Sequence, residues 1–135
     1  MAFFVWDEKF SVGVPSIDAQ HKKLISLTDR LHEAMKSGKG NDALAEVLDS
    51  LIDYTVTHFA YEEKLMSANA YPGYLAHKVI HDNLTAKAKS IRDSWREGKP
   101  MVTVDLMNFL KTWLTDHIHG EDKKYSTLLR EKGVQ

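Results

Sequence analysis

Four apolar stripes, each broken by histidine, constrain the fold of this chain more than any other feature. They read Ile17, His21, Leu24, Thr28, Leu31, Met35; then Leu44, Leu48, Leu51, Thr55, His58, Glu62, Leu65; then His77, His81, Leu84, Ala88, Ile91, Trp95; and last Leu106, Leu110, Trp113, His117. Steps of three and four residues are the period of a helix with one buried face. No segment alternates over a strand's length between turn signals.

Punctuation sets the boundaries. Ser16 is an N-cap candidate for a first helix, with Asp18 in its first turn, running to about Lys36. Gly38 and Gly40 end it. A second helix runs from Asn41 to Ala68, before the turn Asn69-Ala70-Tyr71-Pro72-Gly73. A third runs from Tyr74 to Glu97, closed by Gly98 and Pro100, and a fourth from about Thr103 to Glu131. Residues 1–15 form an irregular arm. The expected fold is all-α: an up-down-up-down antiparallel four-helix bundle over residues 16–131, within one domain spanning 1–135.

Polar side chains in a core stripe are costly unless they are paired or bind metal. One core histidine is usually just hydrogen-bonded; five, with a glutamate, point elsewhere. Their heights along the bundle agree as well. His21, His77 and His81 lie near the starts of the first and third helices. His58, Glu62 and His117 lie toward the ends of the second and fourth. In an antiparallel bundle these gather within roughly two or three turns, at about 1.5 Å per residue. His32 shares the face of His21 but sits about 16 Å farther along at that rise, so it is a boundary residue.

His58 and Glu62 are four apart, as are His77 and His81, so each pair projects from one face. Five histidines and two carboxylates exceed the needs of one tetrahedral zinc and suit two metal ions. Imidazole donors are compatible with iron, zinc, copper or nickel, and spacing does not choose among them. With no cysteine, thiolate sites, disulfides and a cysteine nucleophile are excluded. Lys and Arg number 18 against 19 acids, a net charge of −1, which gives no electrostatic case for nucleic acid. No apolar run is long enough to span a bilayer and no signal peptide is evident, so a cytoplasmic location without membrane insertion is expected.

The motifs around these residues resemble the hemerythrin family, in its single-domain bacterial form. The likeness covers nearly the whole chain. It includes Trp6, "SVGVPSIDAQHKKL" (11–24), "HFAYEEKLM" (58–66), "YPGYLAHKVIH" (71–81) and "WLTDHIHGEDKKY" (113–125). The resemblance implies a non-haem di-iron centre that binds O2 reversibly. His77, His81 and His117 would ligate one iron. His21 and His58 would ligate the other, which keeps an open position for O2. Glu62 and Asp122 would bridge both, together with an oxo or hydroxo group. A dry pocket is then required, with Leu24, Ile25, Phe59, Trp113, Leu114 and Ile118 as candidates and Trp6 closing that end from the arm.

The functional expectation is an O2 carrier, store or supplier and not an enzyme. The alternatives are an oxygen or redox sensor acting through an unidentified protein partner, or a di-iron enzyme handling O2, peroxide or nitric oxide. A histidine-rich site argues against strong oxidation, because carboxylate-rich di-iron sites carry more negative charge to support high-valent iron.

The stretch "DHIHGED" (116–122) poses a register problem. An undistorted helix continues the stripe from His117 to Glu121, Lys124 and Leu128. The family likeness selects Asp122. One extra residue near Gly120 would make the stripe Asp122, Tyr125, Leu129, replacing an inward lysine by a tyrosine. A π-type widening at 118–122 is therefore expected, with His119 exposed and Glu121 facing solvent.

Overall fold

The computed structural model describes residues 4–37, 41–96 and 104–135. Among these, helices α1 (Pro15–Lys36), α2 (Asn41–Ala68), α3 (Tyr74–Arg96) and α4 (Val104–Asp116) follow a short 3-10 turn at Glu8–Phe10. A π-helical segment, His117–Asp122, joins α4 directly to α5 (Lys123–Glu131), so the fourth rod of the bundle is one continuous helix with a wide turn inside it. The architecture is the expected all-α four-helix bundle, with no strand among the described residues. α1 packs on α2 and α4, and α2 packs on α3.

On α1 and α2 the stripes face inward, with Ile17, Leu24, Leu31, Leu48 and Leu51 buried in one core. On α4 the buried residues are Met107, Leu110 and Leu114, while Trp113 of the expected stripe is only half-buried; Leu129 joins the same core from α5. The stripe residues of α3 beyond His81, namely Leu84, Ala88 and Ile91, are only half-buried. The side chains of Leu44, Trp95 and Leu106, and the positions Gly38, Gly40, Glu97, Gly98, Pro100 and Thr103, lie outside the described residues.

Ser16 is not the N-cap of α1. The helix starts one residue earlier, with Pro15 in its first turn and Val14 as a cap without a side-chain bond. Proline is favoured there because its fixed φ suits the helix and its missing N–H would have had no intrahelical partner. The hydroxyl of Ser16 instead accepts from Tyr61 Oη at 2.8 Å. Asp18 supplies the local anchoring: its carboxylate accepts from Val12 N at 2.8 Å and from Ser11 Oγ at 2.6 Å, pinning the arm to α1.

The arm is more ordered than periodicity could indicate. Phe4 and Phe10 are buried, their rings 5.7 Å apart in an edge contact. Trp6 lies beside Phe10 at 5.8 Å, beneath the Lys22 ammonium. Phe10 in turn stacks on the His119 ring at 4.8 Å, so the arm reaches the π segment. His119 is otherwise exposed, as its position two residues from the stripe requires.

Candidate metal centre

Seven side chains from α1, α2, α3 and the fourth rod converge at one end of the bundle. They fall into two groups, His77, His81, His117 with Asp122, and His21, His58, Glu62 with Asp122. Within each group one donor atom per residue lies within 4.8 Å of every other, and all are buried. Asp122 belongs to both. Its Oδ1 lies 3.0 Å from His77 Nε2 and 3.1 Å from His117 Nε2, and its Oδ2 lies 3.0 Å from His21 Nε2.

Glu62 belongs to the second group only. Its Oε1 is 2.5 Å from His58 Nε2 and 3.8 Å from His21 Nε2. Its Oε2 accepts a short hydrogen bond from Tyr125 Oη. The family likeness implies a Glu62 that bridges both halves; here the tyrosine holds one oxygen of that carboxylate.

The π segment produces this geometry. It spans His117–Asp122, and it turns Asp122, Tyr125 and Leu129 fully inward, while Lys124 is exposed. Glu121 is half-buried and pairs with Lys124 at 3.2 Å on the outside. Gly120 has open space around a notional Cβ, so the widening does not depend on a glycine.

The atoms facing the centre are polar and unsatisfied. His21 Nε2, His58 Nε2, His77 Nε2, Glu62 Oε1 and both Asp122 oxygens are buried without hydrogen-bond partners. Buried polar atoms seldom lack a partner. These converge on common points, and His81 Nε2 faces His117 Nε2 at 3.1 Å. Since the metal-binding form of an imidazole nitrogen is its bare lone pair, facing Nε2 atoms beside carboxylates are a donor set that fits metal cations.

Two outer contacts fix the ring orientation. His58 Nδ1 lies 2.6 Å from Gln20 Oε1, and His81 Nδ1 lies 3.0 Å from Glu63 Oε2. A glutamine oxygen and a carboxylate can only accept, so each Nδ1 carries the proton and each Nε2 turns a lone pair inward. Electrostatics follow burial and charge. Burial acts to raise Glu62 and so does Asp122, but His58 and His21 outweigh them and bring it to about 2. Asp122 is likewise held well below its ordinary value against burial, by His117, His21 and His77. Burial would lower His21, yet Asp122 and Glu62 raise it to about 10. Burial dominates at His81 and lowers it to about 3. In the metal-free protein the facing imidazoles favour the ionised form of both carboxylates.

The six apolar candidates separate. Leu24, Trp113 and Leu114 line an internal cavity of about 30 Å³, continued by Thr28, Leu51 and Leu110. Ile25 and Ile118 are buried core residues away from that cavity. Phe59 stacks flat on His81 at 3.8 Å. His32 is half-buried and joins neither metal group. The outer contacts of Gln20 and Glu63 were not expected from the sequence, and Tyr125, expected as an inward stripe residue, proves also to be the hydrogen-bond partner of Glu62. Gln20 and Glu63 each adjoin a site residue in the chain, but they face a neighbouring helix and so break no stripe.

Fold and site together define a class: a four-helix bundle with a buried, histidine-rich, carboxylate-containing metal site. Residues 12–129 match the Hemerythrin HHE cation binding domain. The chain belongs to the hemerythrin family. It is similar to a bacteriohemerythrin of Stenotrophomonas maltophilia, 36% identical over 93% of this chain and 81% of that protein. A bacteriohemerythrin of Methylococcus capsulatus is 33% identical over 96% of this chain and 98% of its own. The crystal structure of a wild-type hemerythrin superposes with a TM-score of 0.90 at 32% identity, covering 95% of this chain and 98% of that one. Among the described residues no helix is long and apolar enough to cross a membrane.

Proposed function

We propose that this chain binds O2 reversibly at a non-haem di-iron centre and serves as a carrier, store or local supplier of oxygen. His77, His81 and His117 would hold one iron and His21 and His58 the other, with Asp122 and Glu62 as the carboxylates of the centre. The observation that carries this reading is the position of Asp122, whose two oxygens face different histidine groups at 3.0–3.1 Å. Iron held there would supply the electrons that O2 binding needs.

The surrounding residues favour binding over turnover. Among the described residues no carboxylic acid or lysine lines the apolar cavity, whose lining includes Leu24 and Thr55, about one turn from His21 and His58, but none of the seven metal-site residues themselves. Its two hydroxyls are already committed, Thr28 Oγ1 to Leu24 O at 2.9 Å and Thr55 Oγ1 to Leu51 O at 2.7 Å. A water needs two to four polar partners and finds few here, whereas a small apolar gas needs none. A dry cavity would limit the access of water to iron held in the site. The test is metal analysis of purified protein with iron-dependent O2 uptake. Two irons per chain with uptake that reverses on deoxygenation support the reading; continuous O2 consumption with a substrate contradicts it.

A further inference from the structure

The two halves of the centre have different outer partners. Behind His58 stands Gln20, a neutral amide, at 2.6 Å; behind His81 stands Glu63, a carboxylate, at 3.0 Å. Both reach across a helix boundary. Gln20 precedes His21 on α1 and meets a ligand candidate of α2. Glu63 follows Glu62 on α2 and meets one of α3. A residue adjacent to an inward one is rotated by about 100°, which aims it at the neighbouring helix. Lys78, the cation near Glu63, makes its ion pair with Asp82 at 2.8 Å. Glu63 retains 18% side-chain exposure and His81 only 1%, so the contact is largely shielded from solvent.

We propose that Glu63 is a positioning residue that makes His81 a stronger donor toward a metal than a neutral partner would, whereas Gln20 adds no charge behind His58. This rests on the di-iron reading above. A carboxylate that accepts the Nδ1 proton strengthens Nε2 as a donor, and a glutamine amide does so less.

The experiment uses the full chain loaded with ferrous iron under anaerobic conditions, as wild type, Glu63→Gln and Gln20→Glu. Iron per chain, iron retention against a chelator and midpoint potential by mediated titration are measured for each. Glu63→Gln keeps an acceptor oxygen for Nδ1–H and loses only the charge. It is expected to raise the midpoint potential and to weaken iron retention by about 10-fold, the low end for such outer partners. Gln20→Glu is expected to lower the potential. Unchanged potentials in both variants at two irons per chain would overturn the proposal and leave the di-iron reading standing. A wild-type chain that takes up no iron pair would sink the di-iron reading instead. Should Glu63→Gln fail to fold, Gln20→Glu alone decides by the sign of its shift.

Discussion

Tyr125 Oη donates a hydrogen bond to Glu62 Oε2 between two side chains that are wholly buried and 63 residues apart. The pair ties the fourth rod to α2 just beyond the π segment and determines which Glu62 oxygen is left for His58. Burial, with Asp122 and Glu62 nearby, pushes the tyrosine well above its ordinary value and so favours its neutral, proton-donating form.

Tyr125→Phe keeps the ring and removes the donor, leaving a buried carboxylate oxygen without its partner. The expected cost is about 1–3 kcal/mol in unfolding free energy of chelator-treated protein. Urea denaturation measures it. A variant as stable as wild type would show that the bond contributes nothing to the fold.

Deleting Gly120 tests the register of the fourth rod. With one residue fewer, a regular α-helix places Asp122 four residues after His117 and continues the inward stripe to Tyr125 and Leu129, so the wide turn is no longer needed. The deletion is expected to fold and to retain metal. Gly120→Ala is likewise expected to fold and to retain metal, because nothing lies within 4 Å of the added Cβ. Circular dichroism and metal analysis check both variants, and a deletion that folds but no longer holds two irons would contradict the π-register account.

The stability of chelator-treated protein is expected to peak near pH 6.5. His21, raised from 6.5 to about 10, binds its proton more tightly when folded. Its contribution is full below 6.5 and is lost as pH climbs toward 10. His117 is raised too, against the effect of burial, by Asp122. His81, lowered by burial to about 3, works the other way: its contribution is present above 6.5 and is lost as pH falls toward 3. The depressed values of Glu62 and Asp122 add to the acid-side loss. Urea midpoints at about pH 4, 6.5 and 9 give the profile. A monotonic rise across that range would be inconsistent with these shifts.

Leu24→Ala enlarges the apolar cavity one turn beyond His21. Removing this buried side chain is expected to cost about 2–5 kcal/mol. More telling is the loaded protein in air, whose conversion to a ferric form incapable of binding O2 is expected to be faster as the pocket admits water. An unchanged conversion rate in a destabilised but folded variant would mean that Leu24 is core packing alone.

Much of this was legible in the sequence because two independent constraints met. Period placed His21, His58, Glu62, His77, His81 and His117 on inward faces, and helix length placed them at one level. The π segment was legible for a similar reason, since Tyr125 is a plausible core residue where Lys124 is not. Contacts aimed sideways were hidden. Gln20 and Glu63 leave no trace in an inward stripe, because what they touch belongs to another helix. The start of α1 was misplaced because Ser16 fits an N-cap statistically, while Pro15 suits the first helical turn sterically. Which oxygen of Glu62 Tyr125 would hold depends on rotamers, which periodicity does not encode.

Reversible O2 binding by two irons in the Asp122-centred cluster is tested most directly by the ultraviolet–visible spectrum of iron-loaded, anaerobically reduced protein through repeated cycles of air and inert gas, with iron per chain determined on the same sample. Two irons per chain are expected, with a charge-transfer band that grows in air and fades when O2 is withdrawn, cycle after cycle. A spectrum that changes once and never reverts, or a protein of full iron content that gives no oxygen-dependent band, would contradict it.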